Sequence, residues 1–197
     1  MRREFLKLLG AFGLVVALSL NLFGADTPKQ KKKQTPQGLY LTAKEAYDML
    51  QKEGDKILFV DVRTPEELYF VGYPKEVDKN VPLVYVDYSK FKEKKGKVKF
   101  ASVKNKKFVQ QVEEALKANG LNKDSKIIVM CRSGHRSAKA AKVLDKAGYK
   151  NVYTIVDGFE GDKDKEGYRT VNGWKNAHLP YTYKVKKDIF ILERPVK

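Results

Sequence analysis

The stretch at residues 126–136, KIIVMCRSGHR, narrows the choice of fold more than any other part of the chain. Ile127, Ile128, Val129 and Met130 form an unbroken apolar run with β-branched members. That is the pattern of a strand buried on both faces, and such strands belong to parallel sheets covered by helices. The run leads directly into Cys131 and a polar turn containing Gly134. From Ser137 to Lys146, Ala140, Val143 and Leu144 then recur at helical spacing, closed by Gly148. Strand, tight turn and helix in this order place the turn beyond the carboxyl end of a strand, where α/β sheets bind ligands.

The rest of the chain repeats the alternation. Ile57 to Val62 and Val152 to Val156 read as further buried strands. Thr42 with Glu45 three residues on is a capping-box pattern, and Ala43, Ala46, Tyr47 and Leu50 give the helix that follows, about 43–53, an apolar face. Phe108, Val112, Ala115 and Leu116 do the same for a helix over 106–119, ended by Gly120. Strands alternating with helices predict an α/β fold with a central, mainly parallel sheet flanked by helices. A chain of 197 residues, 42% hydrophobic and 32% charged, has room for one sizeable core. Tyr40, Tyr47, Tyr149, Phe159 and Trp174 read as packing within or over it. Residues 84–104, where Tyr85, Val86, Tyr88, Phe91 and Phe100 are interleaved with lysines, predict a long loop or hairpin, and the Gly- and Asp-rich 157–173 an irregular excursion.

The ends carry a different signal. Arg2, Arg3 and Lys7 precede an apolar run from Leu8 to Leu20, a length that suits a secretory signal and is short for a comfortable membrane span. Residues 1–25 are therefore expected to be a signal peptide cut after Gly24 or Ala25, with an uncleaved anchor as the alternative. RREFLK resembles a twin-arginine export signal, and general secretion is the other route. On this reading 26–38 is a basic flexible linker, 39–185 the folded domain and 186–197 a tail. The mature protein is expected in the periplasm or otherwise exported, without a stable membrane span.

Charge and cysteine count bound the chemistry. A formal net charge of +16 attracts small anions and acidic surfaces. No zinc-finger, helix-turn-helix or aromatic RNA-binding motif accompanies the scattered lysines, so no nucleic acid is expected. Two histidines and one cysteine fit no metal-ligand spacing, and neither a metal nor a cofactor is implied. One cysteine excludes an intrachain disulfide, and a solitary thiol in an exported chain points to a use for its reactivity. In its turn Cys131 would sit among backbone amides, a helix N-terminus and the guanidinium groups of Arg132 and Arg136, all of which favour thiolate over thiol. It is the expected catalytic nucleophile. Gly134 suits a positive φ or a close backbone approach, and the Ser133 hydroxyl is a candidate donor to the sulfur. His135 is either a substrate contact or proton donor at the mouth, or a solvated loop residue. Arg136 either binds a substrate anion or pairs with a carboxylate behind the loop.

Residues 126–159, KIIVMCRSGHRSAKAAKVLDKAGYKNVYTIVDGF, resemble the active-site half of rhodanese domains, whose loop runs Cys, four residues, Arg. FVDVRTPEE at 59–67 is similar to the family's Asp-Val-Arg…Glu segment, matching Asp61, Arg63 and Glu67, and NGWKNAHLP at 172–180 to its usual ending. The resemblance spans most of 40–183 and implies the rhodanese-like three-layer fold. It also implies thiosulfate sulfurtransferase-like activity: sulfane sulfur would pass from thiosulfate, a persulfide or a polysulfide through a Cys131 persulfide to a thiol, cyanide or protein acceptor. Arg132, Ser133, Gly134, His135 and Arg136 would bind substrate, with Asp61, Arg63, Glu67 and Ser137 in support. A non-catalytic persulfide carrier or partner-binding module would carry the same cysteine. Cysteine phosphatases and arsenate reductases use a similar loop, but with five residues between Cys and Arg; here the sixth residue after Cys131 is Ser137, and Met130 precedes the cysteine. The chain departs from the rhodanese pattern at Gly72, Tyr73, Pro74, where a histidine is usual, and adds residues at 84–104 and 160–172.

Overall fold

Reciprocal caps start two of the helices. The Thr42 hydroxyl accepts from the Glu45 amide while the Glu45 carboxylate accepts from the Thr42 amide, and Thr64 with Glu67 repeats the arrangement ahead of Pro65. The computed structural model describes residues 24–191. In chain order the elements are β1 (Tyr40–Leu41), α1 (Ala43–Glu53), β2 (Ile57–Asp61), α2 (Pro65–Val71), β3 (Tyr73–Pro74), β4 (Lys79–Asn80), β5 (Val84–Lys94), β6 (Lys97–Lys104), α3 (Phe108–Ala118), β7 (Lys126–Met130), α4 (His135–Lys146), β8 (Val152–Ile155) and β9 (Tyr181–Thr182).

Five strands form one sheet in the order β1-β8-β7-β2-β4, and every pairing in it is parallel. Alternation along each strand feeds two cores. Phe59, Ile128, Met130 and Ile155 face α1, α2 and Trp174, while Leu58, Val60, Ile127, Val129 and Val152 face α3 and α4. With both faces covered, the strands are apolar throughout, as parallel sheets require. β7 lies at the centre, and β2 beside it sets Asp61 opposite Met130. The helix layers flanking a parallel sheet are the expected α/β architecture. Residues 84–104 form the β5–β6 hairpin, and 157–173 contains neither helix nor strand.

At the ends the structure departs from the reading by composition. The segment read as a flexible basic linker holds a 3-10 turn at Lys31–Lys33, packed against α4, with Lys33 only 5% exposed. Its ammonium group donates to the Val156 carbonyl at 2.9 Å and faces Asp162 Oδ1 at 3.1 Å, so a single lysine is held by partners far along the chain. The segment read as a C-terminal tail returns to the sheet edge: Ile189 is buried and its carbonyl accepts from the Asn80 amide at 2.9 Å. Residues 1–23 of the expected signal peptide and 192–197 of the tail lie outside the described residues. No described helix is long and apolar enough to cross a membrane.

Trp174 closes the first core. It is fully buried, meets Phe59 and Tyr47 with ring centroids 5.7 and 5.8 Å away, and donates its indole N–H to the Pro180 carbonyl at 2.9 Å. Trp174→Ala removes that packing and is expected to cost roughly 3–5 kcal/mol. Equilibrium urea denaturation followed by far-UV circular dichroism measures it.

Candidate functional site

β7 delivers Cys131 to the end of the central strand, and α4 begins at His135, so the intervening turn has to reverse direction within a few residues. Gly134 makes this feasible. Its φ is +85°, and a Cβ there would lie 2.2 Å from the Val156 carbonyl oxygen, so the position excludes side chains on both conformational and steric grounds. Among the described residues, no acceptor takes the backbone N–H groups of residues 132–137. A run of open donors at a helix N-terminus is suited to an anion.

The sulfur sits deep. Cys131 is 1% exposed, and its thiol donates to the Ser137 hydroxyl at 3.7 Å, which in turn donates to the Gly134 carbonyl at 3.0 Å. The hydroxyl that meets the sulfur is therefore that of Ser137, not that of Ser133, because the first turn of α4 folds Ser137 back under the loop while Ser133 stays half-buried in the turn itself. Arg132 is exposed, and among the described residues its guanidinium has no hydrogen-bond or ion-pair partner, leaving it available to an anion at the mouth.

Arg136 answers the question the sequence left open. Its guanidinium makes a two-pronged pair with Glu67, Nη1 to Oε2 at 2.5 Å and Nη2 to Oε1 at 2.6 Å. Two of its donors meet a carboxylate, the structural pairing that the sequence offered beside substrate binding, in the fork geometry that Arg favours. Burial pushes the Glu67 carboxyl up, but the Arg136 hydrogen bonds and charge, the Thr64 amide and the Arg63 charge outweigh it and hold the group below its usual range. Arg136 is correspondingly raised: burial lowers it, and the Glu67 pair and the charges of Cys131 and Asp61 more than compensate.

His135 is not a freely solvated loop residue. Its Nε2 stands 3.0 Å from Gln30 Oε1, and burial followed by the Lys33 charge lowers its pKa, opposed by Asp162 and Ser133. The N-terminal segment thus reaches the loop twice, through Gln30 and through Lys33.

Asp61 and Arg63 lie beneath, both fully buried. Arg63 Nη2 approaches Asp61 Oδ2 at 2.7 Å and donates to the Gly72 carbonyl at 2.9 Å, and its guanidinium carbon lies 4.3 Å from the centre of the Phe159 ring. Phe159 passes this order to the site, since its amide donates to the Cys131 carbonyl at 2.8 Å, and the Glu160 and Gly161 amides hold the Arg132 carbonyl at 3.0 and 3.2 Å. Gly158, with φ +68°, allows the approach, because a Cβ would stand 2.5 Å from the Cys131 oxygen. The sequence reading did not assign this brace over 157–161. Its available signal was the closely spaced Gly158 and Gly161 after a strand, a pattern that marks close backbone approach. Among the described residues no group of three or more His, Cys, Asp or Glu side chains could hold a metal ion.

Comparison with known proteins agrees with this arrangement. The chain is 35% identical over 144 residues to the protein RP600 of Rickettsia prowazekii (strain Madrid E), an alignment covering 71% of this chain and 93% of that one. It is 43% identical over 42 residues to YrkF of Bacillus subtilis (strain 168), a candidate sulfur carrier protein, covering 21% of this chain and 23% of that one. The crystal structure of Rv0390 from M. tuberculosis superposes with a TM-score of 0.56 at 30% identity, covering 74% of this chain and 97% of that one. Residues 42–165 match the family model of the rhodanese-like domain, and with this fold and this cysteine turn the chain belongs to that family.

Proposed function

We propose that the protein is a sulfurtransferase that moves sulfane sulfur from thiosulfate or a related donor to a thiophilic acceptor through a Cys131 persulfide. The observation that carries the proposal is the turn itself: one cysteine at the end of the central strand, followed by amides and an arginine that find no partner among the described residues. In the first step Cys131, as thiolate, attacks the outer sulfur of thiosulfate. The new bond joins Cys131 Sγ to that sulfur, and the sulfur–sulfur bond of thiosulfate breaks with its electron pair leaving on sulfite. Arg132 and the loop amides offset the charge of the dianion and of the departing sulfite. In the second step an acceptor thiolate or cyanide attacks the terminal sulfur, and the Cys131 thiolate is restored.

A carrier role is the second reading, and the burial of Cys131 favours it, since a sulfur held at 1% exposure is shielded from stray thiols. The likeness to a candidate sulfur carrier points the same way. Turnover separates the two: an enzyme releases sulfite from thiosulfate repeatedly with a small thiol as acceptor, whereas a carrier releases it once and stops. We further propose that residues 1–25 export the protein and that it works in the periplasm, a reading that cell fractionation tests.

Two variants probe the roles. Arg132→Ala is expected to lower kcat/KM for thiosulfate by about tenfold to a hundredfold while changing use of an uncharged persulfide donor several-fold less, because only the dianion loses a charge partner. Steady-state sulfite and sulfide assays measure this, and equal losses would contradict the role. Glu67→Gln should destabilise the protein by roughly 1–3 kcal/mol at pH 7 by leaving Arg136 underpartnered. A carboxyl lowered by folding contributes stability that is fully present above its unfolded value and is lost as pH falls through the folded one. The gap between wild type and variant should therefore narrow as pH falls below the ordinary Glu value of 4.5. Thermal melts from pH 7 to pH 3 follow it.

A further inference from the structure

The β5–β6 hairpin forms a sheet of its own and has two unlike faces. Residues directly opposed in an antiparallel pair share a face. Phe91 opposite Phe100 and Glu93 opposite Val98 therefore lie on one face, with Lys92 opposite Lys99 and Lys94 opposite Lys97 on the other. The Phe91 and Phe100 rings stack at 5.2 Å, and Tyr88 meets Phe100 edge-on at 5.1 Å. This aromatic cluster is nevertheless in water: Phe91 is 71% exposed, Val98 64% and Phe100 46%. A contiguous apolar patch of this kind on a projecting element marks an interaction surface.

Charge narrows what covers it. Residues 84–104 carry seven lysines against Asp87 and Glu93, on a chain whose formal net charge is +16. A second copy carries the same strongly positive net charge and would be repelled on approach, and lysines along an open strand discourage strand addition. An anionic bilayer satisfies both features. Exposed aromatic rings enter the boundary between headgroups and acyl chains, and lysines extend along their alkyl stems to the phosphates around a hairpin lying in that layer. We propose that the β5–β6 hairpin docks the protein on an anionic lipid surface, with Phe91, Val98 and Phe100 as its apolar contact. This inference is independent of the sulfur-transfer reading.

The test uses the full chain with Phe91→Trp, since the native Trp174 is fully buried and supplies a constant background. Vesicles of phosphatidylcholine alone are compared with vesicles holding equal amounts of phosphatidylcholine and phosphatidylglycerol. A probe at position 91 reports on the hairpin itself, whatever the N-terminal apolar segment does. The expected result is a blue shift and quenching by brominated acyl chains on the anionic vesicles, reversed by salt. Partitioning should fall about tenfold on vesicles without phosphatidylglycerol, and similarly when Val98→Ser and Phe100→Ser, or Lys→Gln at 92, 94, 97 and 99, are added. Phe100→Leu, which keeps the patch apolar, should bind as the parent does. Three results would overturn the proposal: no shift on anionic vesicles, an equal shift on neutral ones, or hairpin-dependent dimerisation or capture of an acidic protein without any lipid response.

Discussion

A fully buried guanidinium is the constraint on which the site rests. An arginine removed from water costs several kcal/mol unless its charge is paired, and here Arg63 pairs with Asp61, donates to the Gly72 carbonyl and lies over the Phe159 ring, while its Nη1 is buried without a hydrogen-bond partner among the described residues. Asp61 is fixed by β2 beside the central strand, so the pair ties the frame of the sheet to the loop over 157–161. That loop in turn holds the carbonyls of Cys131 and Arg132. With those carbonyls turned toward the brace, the amides that follow are left open, and the cysteine turn keeps its donors for something other than the protein.

A second constraint operates on the opposite side of the turn. The Glu67–Arg136 fork joins the first turn of α2 to the first turn of α4, and Thr64 caps α2 through the same carboxylate. The N-terminus of α4 is thereby fixed from one side by Glu67 and from the other by the segment carrying Gln30 and Lys33. Preorganisation of this kind matters in group transfer, because donors already aimed at the developing charge need not reorganise during the step.

Much of this was legible in the sequence because it is local. β2, β7 and β8 are short apolar runs, α1, α3 and α4 have helical spacing, and Cys131 lies between a strand and a helix, a placement that needs no long-range contact. Gly134 could be read as a residue needing unusual backbone, and it has φ +85°. What escaped depends on partners distant in the chain. Lys33 is one lysine in a run that composition marks as solvated, and it is the Val156 carbonyl, 123 positions on, and Asp162 that meet its charge in a buried place. Arg136 pairs with a carboxylate 69 positions earlier, which the sequence could offer only as one of two roles. Ser137 rather than Ser133 meets the sulfur because α4 starts at His135, two residues ahead of the periodic apolar signal, which rotates Ser137 under the loop. The tail was misread for the same reason: the partner of Ile189 is the amide of Asn80.

The central claim is that Cys131 accepts and holds a single sulfur atom. Intact-protein mass spectrometry after incubation with thiosulfate, with peptide mapping of the modified site, measures this directly. The account predicts a gain of one sulfur mass on the peptide containing Cys131, removed by cyanide and absent from Cys131→Ser. A protein that stays at its original mass under thiosulfate, persulfide and polysulfide alike would contradict it.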